Sequence, residues 1–398
     1  MSFSGFRIGT ALLIASCASP TLAMSWDLLF VVESEYRQFI EEPKHDGQGG
    51  SGSSIAMRAE IRGDWNDSAD RVVVIPFGRW DTEDENRTHT DLREASWTHI
   101  GNGWQSLIGV SKVFWGVAES QHLVDIVNQT DLIEHPDGEE KLGQPMLNYT
   151  LVLEWGELDL FALVGFRERA FPGRKGRFRS ASPVRPSLSE ITRSPSNIDW
   201  AARWFWTGGN WDIAVSSFSG TSREPTLVST VDDNGRQVLK PRYPLIDQFG
   251  LEAQYTTGAT LLKLEAITRS GGEQGHEAAV FGTEYILHGV LDTVSDLGLL
   301  TEYNYDSRGR GATTGLGNDL FLGLRWDAND PERTWALLGS MVGLDQDGSF
   351  LTLEGGRRMG DRTNLKVEGR WFTESAKADA FYDWRGDTFF QVGVGVYF

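Results

Sequence analysis

Apolar and polar residues alternate with a period of two in one segment after another of this chain. From Ser54 to Arg62 one face is Ile55, Met57, Ala59 and Ile61, and the other carries Arg58, Glu60 and Arg62. Around Leu262 to Arg269 the apolar set is Leu262, Leu264 and Ala266, against Lys263, Glu265 and Arg269. Between Thr363 and Trp371, Leu365, Val367 and Trp371 oppose Asn364, Lys366, Glu368 and Arg370. Each is a strand with one oily and one charged face. The pattern predicts eighteen strands, at 26–40, 53–66, 71–80, 90–99, 104–113, 147–155, 157–166, 198–207, 210–219, 245–257, 260–269, 276–289, 296–305, 317–328, 332–344, 349–359, 362–373 and 386–398, with sixteen as the alternative count.

Alternation alone also fits a soluble sandwich, whose apolar face is buried inside. The connections discriminate. Every second one is tight, as at Gly101-Asn102-Gly103, Gly208-Gly209, Thr257-Gly258-Ala259 and Gly360-Asp361. The connections between them hold the long stretches 41–52, 81–89, 114–146, 167–197, 220–244 and 374–385. Short turns on one rim and long loops on the other is the arrangement of a transmembrane, antiparallel up-and-down β-barrel, with periplasmic turns and extracellular loops. Eighteen strands of about eleven residues use roughly half the chain, which leaves loops but no separate plug domain. Closure of the sheet satisfies backbone groups that lipid cannot hydrate.

Residues 1–23 are read as a cleaved signal peptide: Arg7, an apolar stretch from Ile8 to Ala15, and a small-residue site at Thr21-Leu22-Ala23. Ile14-Ala15-Ser16-Cys17 offers a competing, lipoprotein-type cut. Residues 24–398 then form one barrel domain. Past residue 23 no apolar run reaches the roughly 18 residues of a spanning helix. At the C-terminal end, Phe390, Val392, Val394, Val396 and Phe398 share one face. A final strand ending in an aromatic is similar to the signal that outer-membrane barrels present to their assembly machinery, and Phe398 is the candidate. Trp26, Trp65, Trp80, Trp97, Trp104, Trp155, Trp326, Trp335 and Trp371 fall near strand ends, as interfacial girdles require.

The chain carries 37 Lys and Arg against 56 Asp and Glu, a net charge of −19. That balance argues against nucleic acid, which is bound through clustered cations. No Gly-x-Ser-x-Gly motif stands in a strand-turn-helix context, and the seven histidines lie in loops or near turns, so no catalytic residue is assigned. Asp232-Asp233, and Asp345 with Asp347, lack the spacing of a twelve-residue calcium loop, so neither metal nor cofactor is expected.

Barrels of this width leave an aqueous channel. The ladders Arg58/Glu60/Arg62, Lys263/Glu265/Arg269 and Lys366/Glu368/Arg370 are expected to line it. The connection 114–146 mixes Glu119, Asp125, Asp131 and Glu134 with Leu123, Val124, Ile126 and Val127, and is expected to fold into the lumen as its constriction, its acids favouring cations or polar neutral solutes. The connection 167–197 is strongly basic. Its Arg174, Lys175, Arg177 and Arg179 are expected to attract anions or to hold the phosphates of lipopolysaccharide. These two loops pull ion preference in opposite directions.

Asp91-Leu92-Arg93-Glu94-Ala95-Ser96-Trp97, then Gly109-Val110-Ser111-Lys112-Val113-Phe114-Trp115-Gly116, then Asp125-Ile126-Val127-Asn128 and Asp131-Leu132, together resemble Gram-negative porin-like outer-membrane proteins, a proteobacterial group of large barrels. Ser111-Lys112 stands where those barrels carry Arg-Gln. In size and rhythm the chain also looks somewhat like alginate-export and carbohydrate-selective porins. The resemblance implies an outer-membrane channel for passive diffusion of small hydrophilic solutes, in contact with lipid and lipopolysaccharide, with a homotrimer as the assembly common among such porins, and it transfers no substrate. The alternatives are a plugged barrel with a structural, adhesive or partner-binding role, and, last, a barrel lipase or deacylase.

Overall fold

Strand Ser25–Phe39 pairs on one side with Ser51–Trp65 and on the other with Phe389–Tyr397, so the sheet returns to the strand from which it starts. The computed structural model describes residues 24–192, 194, 197–345, 348–373 and 380–398. Segment 1–23 with Cys17, together with Arg193 and Asp347, lies outside the described residues. Eighteen strands form one antiparallel sheet closed into a barrel. The expected segments 245–257 and 260–269 are Leu245–Thr257 and Thr260–Gly271, and the others agree to within a few residues.

Two rims differ as expected. One carries two-residue turns such as Gly258-Ala259, where Gly258 adopts a left-handed φ of 58° that permits so sharp a reversal. Its connections at 288–295 and 328–334 are longer than the pattern predicts. The other rim carries the segments 40–50, 112–143, 165–197, 222–244 and 373–388. Within 222–244 the chain forms a hairpin, Thr226–Val231 with Gln237–Tyr243, to which Glu190–Ile191 adds a short parallel strand. This small sheet stands apart from the barrel wall. Pro76, which has no N–H for a ladder, coincides with a register shift against strand His89–Gly101.

Side-chain burial separates the two faces of the wall. On Ser51–Trp65, Ile55 and Met57 are exposed while Ser54 and Ala56 are buried, and the register places Met57 beside Val32 and Ile61 beside Leu28 on the outside. Trp26, Leu28 and Phe30 of the first strand continue the same exposed apolar surface. Exposed Trp155 and Trp211 mark the short-turn rim, and Trp80 and Trp200 the long-loop rim. A contiguous apolar belt between two aromatic rings fits the hydrocarbon of a bilayer, and no helix among the described residues is long and apolar enough to cross one. The architecture is that of a transmembrane β-barrel of the outer-membrane kind.

Candidate constriction and lumenal cavity

Segment 112–143 leaves the wall after strand Trp104–Ser111 and folds inward. Its apolar residues Trp115, Leu123, Val124, Ile126 and Val127 are buried against inward-facing Met146, Phe161, Phe218, Ile267 and Val280. Each side chain so buried contributes about 1.5–3 kcal/mol, so the segment is docked rather than draped. The wall has an apolar patch where a water-filled pore would be polar, and the loop covers it.

Three wall carboxylates then hold the loop's backbone. Glu302 accepts the N–H groups of Glu119 at 2.8 Å and Ser120 at 2.7 Å, together with the Ser120 hydroxyl at 2.6 Å. Glu265 accepts from the amides of Val117 and Ala118 at 2.7 and 2.9 Å. Glu252 accepts from Gly116 at 3.2 Å while paired with Arg203 at 2.9 Å. These strands are consecutive in space or nearly so, and stand across the lumen from the strand that launches the loop.

The returning half of the segment is tied to the other side. Asp131 is fully buried and meets Arg93 at 2.7 Å, and Glu134 meets Arg79 at 2.9 Å. Arg87 donates to the carbonyls of Ile133 and Glu134 while bridging Glu35 and Asp81. His135 lies between Asp137 at 2.7 Å and Glu368 at 2.8 Å, and Asp137 also faces Arg370 at 3.2 Å. Burial works against a charge on His135, but the two carboxylates outweigh it and push its pKa up to about 9. The same competition, between burial and the carboxylates of Glu139 and Glu265, lifts His122 to about 10. Burial acts upward on Asp137, yet His135 and Arg370 hold it well below the usual carboxylate range.

A cavity of about 900 Å³ remains between this loop, the loops above it and the strands from Asn318–Asp327 to Thr363–Phe372. Glu224, at its edge, is half-buried beside Arg269 at 2.9 Å. Burial raises its pKa, but Arg269, Arg169 and Arg308 prevail and hold it at about 2.

The sequence-derived candidates separate into groups. Glu119 lines the cavity and is ion-paired with Arg325, and Asp125 pairs with Lys141 at 3.2 Å. With Asp131 on Arg93, all three acids have a local cation, so they do not form the bare acidic ring from which cation preference was expected. Arg58 and Glu60 pair with each other at 3.3 Å, half-exposed in the short-turn half of the lumen, where Arg62 and Lys366 are exposed. Lys263 is buried 3.5 Å from Glu284, Arg269 holds Glu224, and Glu368 and Arg370 anchor the loop. In the basic loop, Arg174 and Lys175 are exposed and Arg179 lines the cavity. Arg177 is a correction: it is completely buried on Asp387, and a side chain so enclosed has no surface to offer lipopolysaccharide or a passing anion. Phe398 closes the barrel beside Phe30. Glu252 and Glu302 escaped the sequence reading, although both sit at inward positions of strands whose alternation was evident. His89, Asp131 and Glu134 each bring one ligand atom within 4.8 Å of the others, but Arg79 and Arg93 already occupy the carboxylates.

No family model matches the chain, and no curated protein does. Among solved structures, a loop-deletion mutant of OmpT, an outer membrane protein of Vibrio cholerae, is 11% identical with a TM-score of 0.46, over 94% of this chain and 100% of that one. A mutant of the Rh. blastica porin is 11% identical with a TM-score of 0.44, over 94% and 100%. OmpT folded in vitro is 10% identical with a TM-score of 0.46, over 94% and 98%. The assignment of this chain as a barrel rests on its own closed register.

Proposed function

We propose that this protein is an outer-membrane channel for passive diffusion of small water-soluble solutes, with segment 112–143 as its constriction. The observation that carries the reading is the path of that segment, held by Glu265 and Glu302 on one side and by Arg79, Arg93 and Glu368 on the other, beside a 900 Å³ cavity. A loop fixed at both walls narrows the bore to a defined aperture, and what lines an aperture sets what passes. The remaining parts follow from the same reading: a signal peptide at 1–23, one barrel domain from 24 to 398, lipid and lipopolysaccharide around exposed Arg174 and Lys175, assembly through Phe398, and no chemistry performed on the solute. The test is conductance and reversal potential of the refolded protein in a planar bilayer across a salt gradient. Stable steps support an open pore. Silence from a verified folded barrel replaces this reading with a plugged, partner-binding barrel.

A further inference from the structure

Four inward-facing residues, Phe321, Met341, Phe350 and Phe372, occupy directly opposed register positions on four successive strands. Phe321 and Met341 are buried, packed with Leu300 and Leu316, while Phe350 and Phe372 are half-buried and carry the apolar row to the wall of the cavity. Glycines fix the row's shape: a Cβ at Gly339 would lie 2.8 Å from the Phe321 ring, so the ring rests over that glycine. Facing the row across the space are Leu132 of the crossing loop and Phe178 of the loop above. One position further along the strands the chemistry reverses. Thr352 and Arg370 pair in the next row, followed by Glu354 and Glu368, with Arg370 between the two carboxylates.

A channel wall that only solvates small ions has no use for the open part of such a row, because the apolar surface that Phe350 and Phe372 present to water is unfavourable and a polar residue at either position would relieve it. Sites that take small organic molecules are mostly apolar with a few placed polar groups, and have volumes of this order. We infer that this cavity favours water-soluble organic solutes with an apolar body, the size of an aromatic ring or short alkyl chain, and a charged head, over fully polar solutes of equal size. The body displaces water from the row while the head meets the charged groups beside it. The inference rests on the channel reading and names the class of solute.

The experiment compares uptake of radiolabelled phenylalanine and glutamine into liposomes containing the full-length refolded protein. Both probes are zwitterions with the same head, so only the body differs. Phenylalanine is expected to enter about threefold faster or more, a modest preference that still allows release. The double variant Phe350→Ser, Phe372→Ser is expected to bring the ratio near one without slowing glutamine, and Phe350→Ser alone to do so in part. Equal rates in the native protein overturn the inference and leave the channel standing. A preference that survives in folded variants also overturns it. Entry of neither probe through verified folded barrels ends both readings. The native ratio decides the matter even where a variant does not fold.

Discussion

Arg177 and Asp387, separated by 210 residues in the chain, form an ion pair of 2.9 Å in which neither side chain has any exposure. The guanidinium also donates to the carbonyls of Glu41, Gly49 and Gly386 and lies 4.3 Å over the ring of Phe39. Three loops of one rim, 40–50, 165–197 and 373–388, thus converge on a single charge. Lys44 adds a second cation on Asp387 at 2.8 Å. The arrangement holds the roof of the lumen in place independently of the barrel wall beneath it.

Removing one partner of a buried pair costs about 3–5 kcal/mol where the other charge is left uncompensated; Lys44 still meets Asp387, so the loss on removing Arg177 falls below that range and includes the three carbonyl bonds. Arg177→Met is therefore expected to loosen the long-loop rim while the barrel stays closed. Limited proteolysis should cut loops 165–197 and 373–388 faster, with the heat-resistant electrophoretic mobility of the barrel unchanged. The double variant Arg177→Met, Asp387→Leu should recover the protection only in part, because Lys44 then loses its partner and the three carbonyls stay unmet. Native resistance in the single variant would remove the pair from this role.

Glu302 and Glu265 act on the loop mainly through backbone amides, joined by the Ser120 hydroxyl on Glu302 and the His122 ring beside Glu265. A hydrogen bond to a charged group contributes about 1.5–3 kcal/mol, and Glu302 accepts three donors from residues 119 and 120. Glu302→Ala should release that end of the constriction. Single-channel recordings should show higher conductance and more open-channel noise, with a larger effect when Glu265→Ala is added. Identical traces from native and double variant would mean that the aperture lies elsewhere.

The two raised histidines give the constriction a pH dependence of definite sign. In the unfolded chain each titrates near 6.5, while in the folded protein His135 and His122 remain charged up to about 9 and 10. A group whose folded pKa is raised lends stability that is complete below its unfolded value and is lost as pH climbs through the folded value. Docking of the loop should be firmest below about pH 6.5, weaken progressively above it, and have lost this contribution by about pH 9 to 10. Channel noise measured from pH 7 to 10.5 should rise over that window. His135→Gln should already be noisy at pH 7 and show a smaller rise. Asp137, held low, keeps its contribution down to strongly acid solution.

Ion preference separates charge from structure at the acidic positions. Glu119 is part-exposed beside Arg325, which also meets Glu284 at 3.3 Å, so Glu119→Gln removes one negative charge at the cavity with little damage. The reversal potential should move toward anions. Asp131→Asn instead removes the nearest partner of buried Arg93, leaving it Asp91 at 3.3 Å and Glu134 at 3.8 Å, and its main effect should be a loosened loop rather than a clean shift in selectivity. A reversal potential unmoved by Glu119→Gln would take that residue out of the ion path.

The strands were legible because each needs only its own residues: an apolar face for lipid, a polar face for the lumen, and a glycine where the turn is tight. The lumenal position of segment 112–143 was legible for a related reason, since Leu123, Val124, Ile126 and Val127 would be costly on a loop in water. Its partners were not. Glu302 and Glu265 face the loop only because eighteen strands close with a particular stagger, and local alternation says nothing about which strands end up opposite one another. Arg177 was misread for the same reason. A basic residue in a long loop normally belongs to the surface, and only the meeting of three distant loops buries it. The hairpin 226–243 was hidden inside a stretch whose Asp232-Asp233-Asn234-Gly235 turn reads as a loop signal.

Phe398 offers a test that separates stability from assembly. Its N–H donates to the carbonyl of Phe30 at 2.9 Å and its carbonyl accepts from Phe30 at 3.3 Å, so the closing contact there is made by backbone. The side chain is 62% exposed on the lipid face, 6.2 Å from the ring of Phe30. Phe398→Ser keeps both hydrogen bonds and forfeits only apolar area, about 1–2 kcal/mol, which a closed eighteen-stranded sheet tolerates. Refolding into vesicles should therefore be close to native. If the aromatic is what the assembly machinery reads, the same variant should give much less folded barrel in the outer membrane of cells. An equal deficit in both settings would make the residue a packing element, and no deficit in either would dispose of the insertion signal. The comparison is informative because the structure assigns barrel closure to the backbone, so that a defect seen only in cells points to recognition of the side chain.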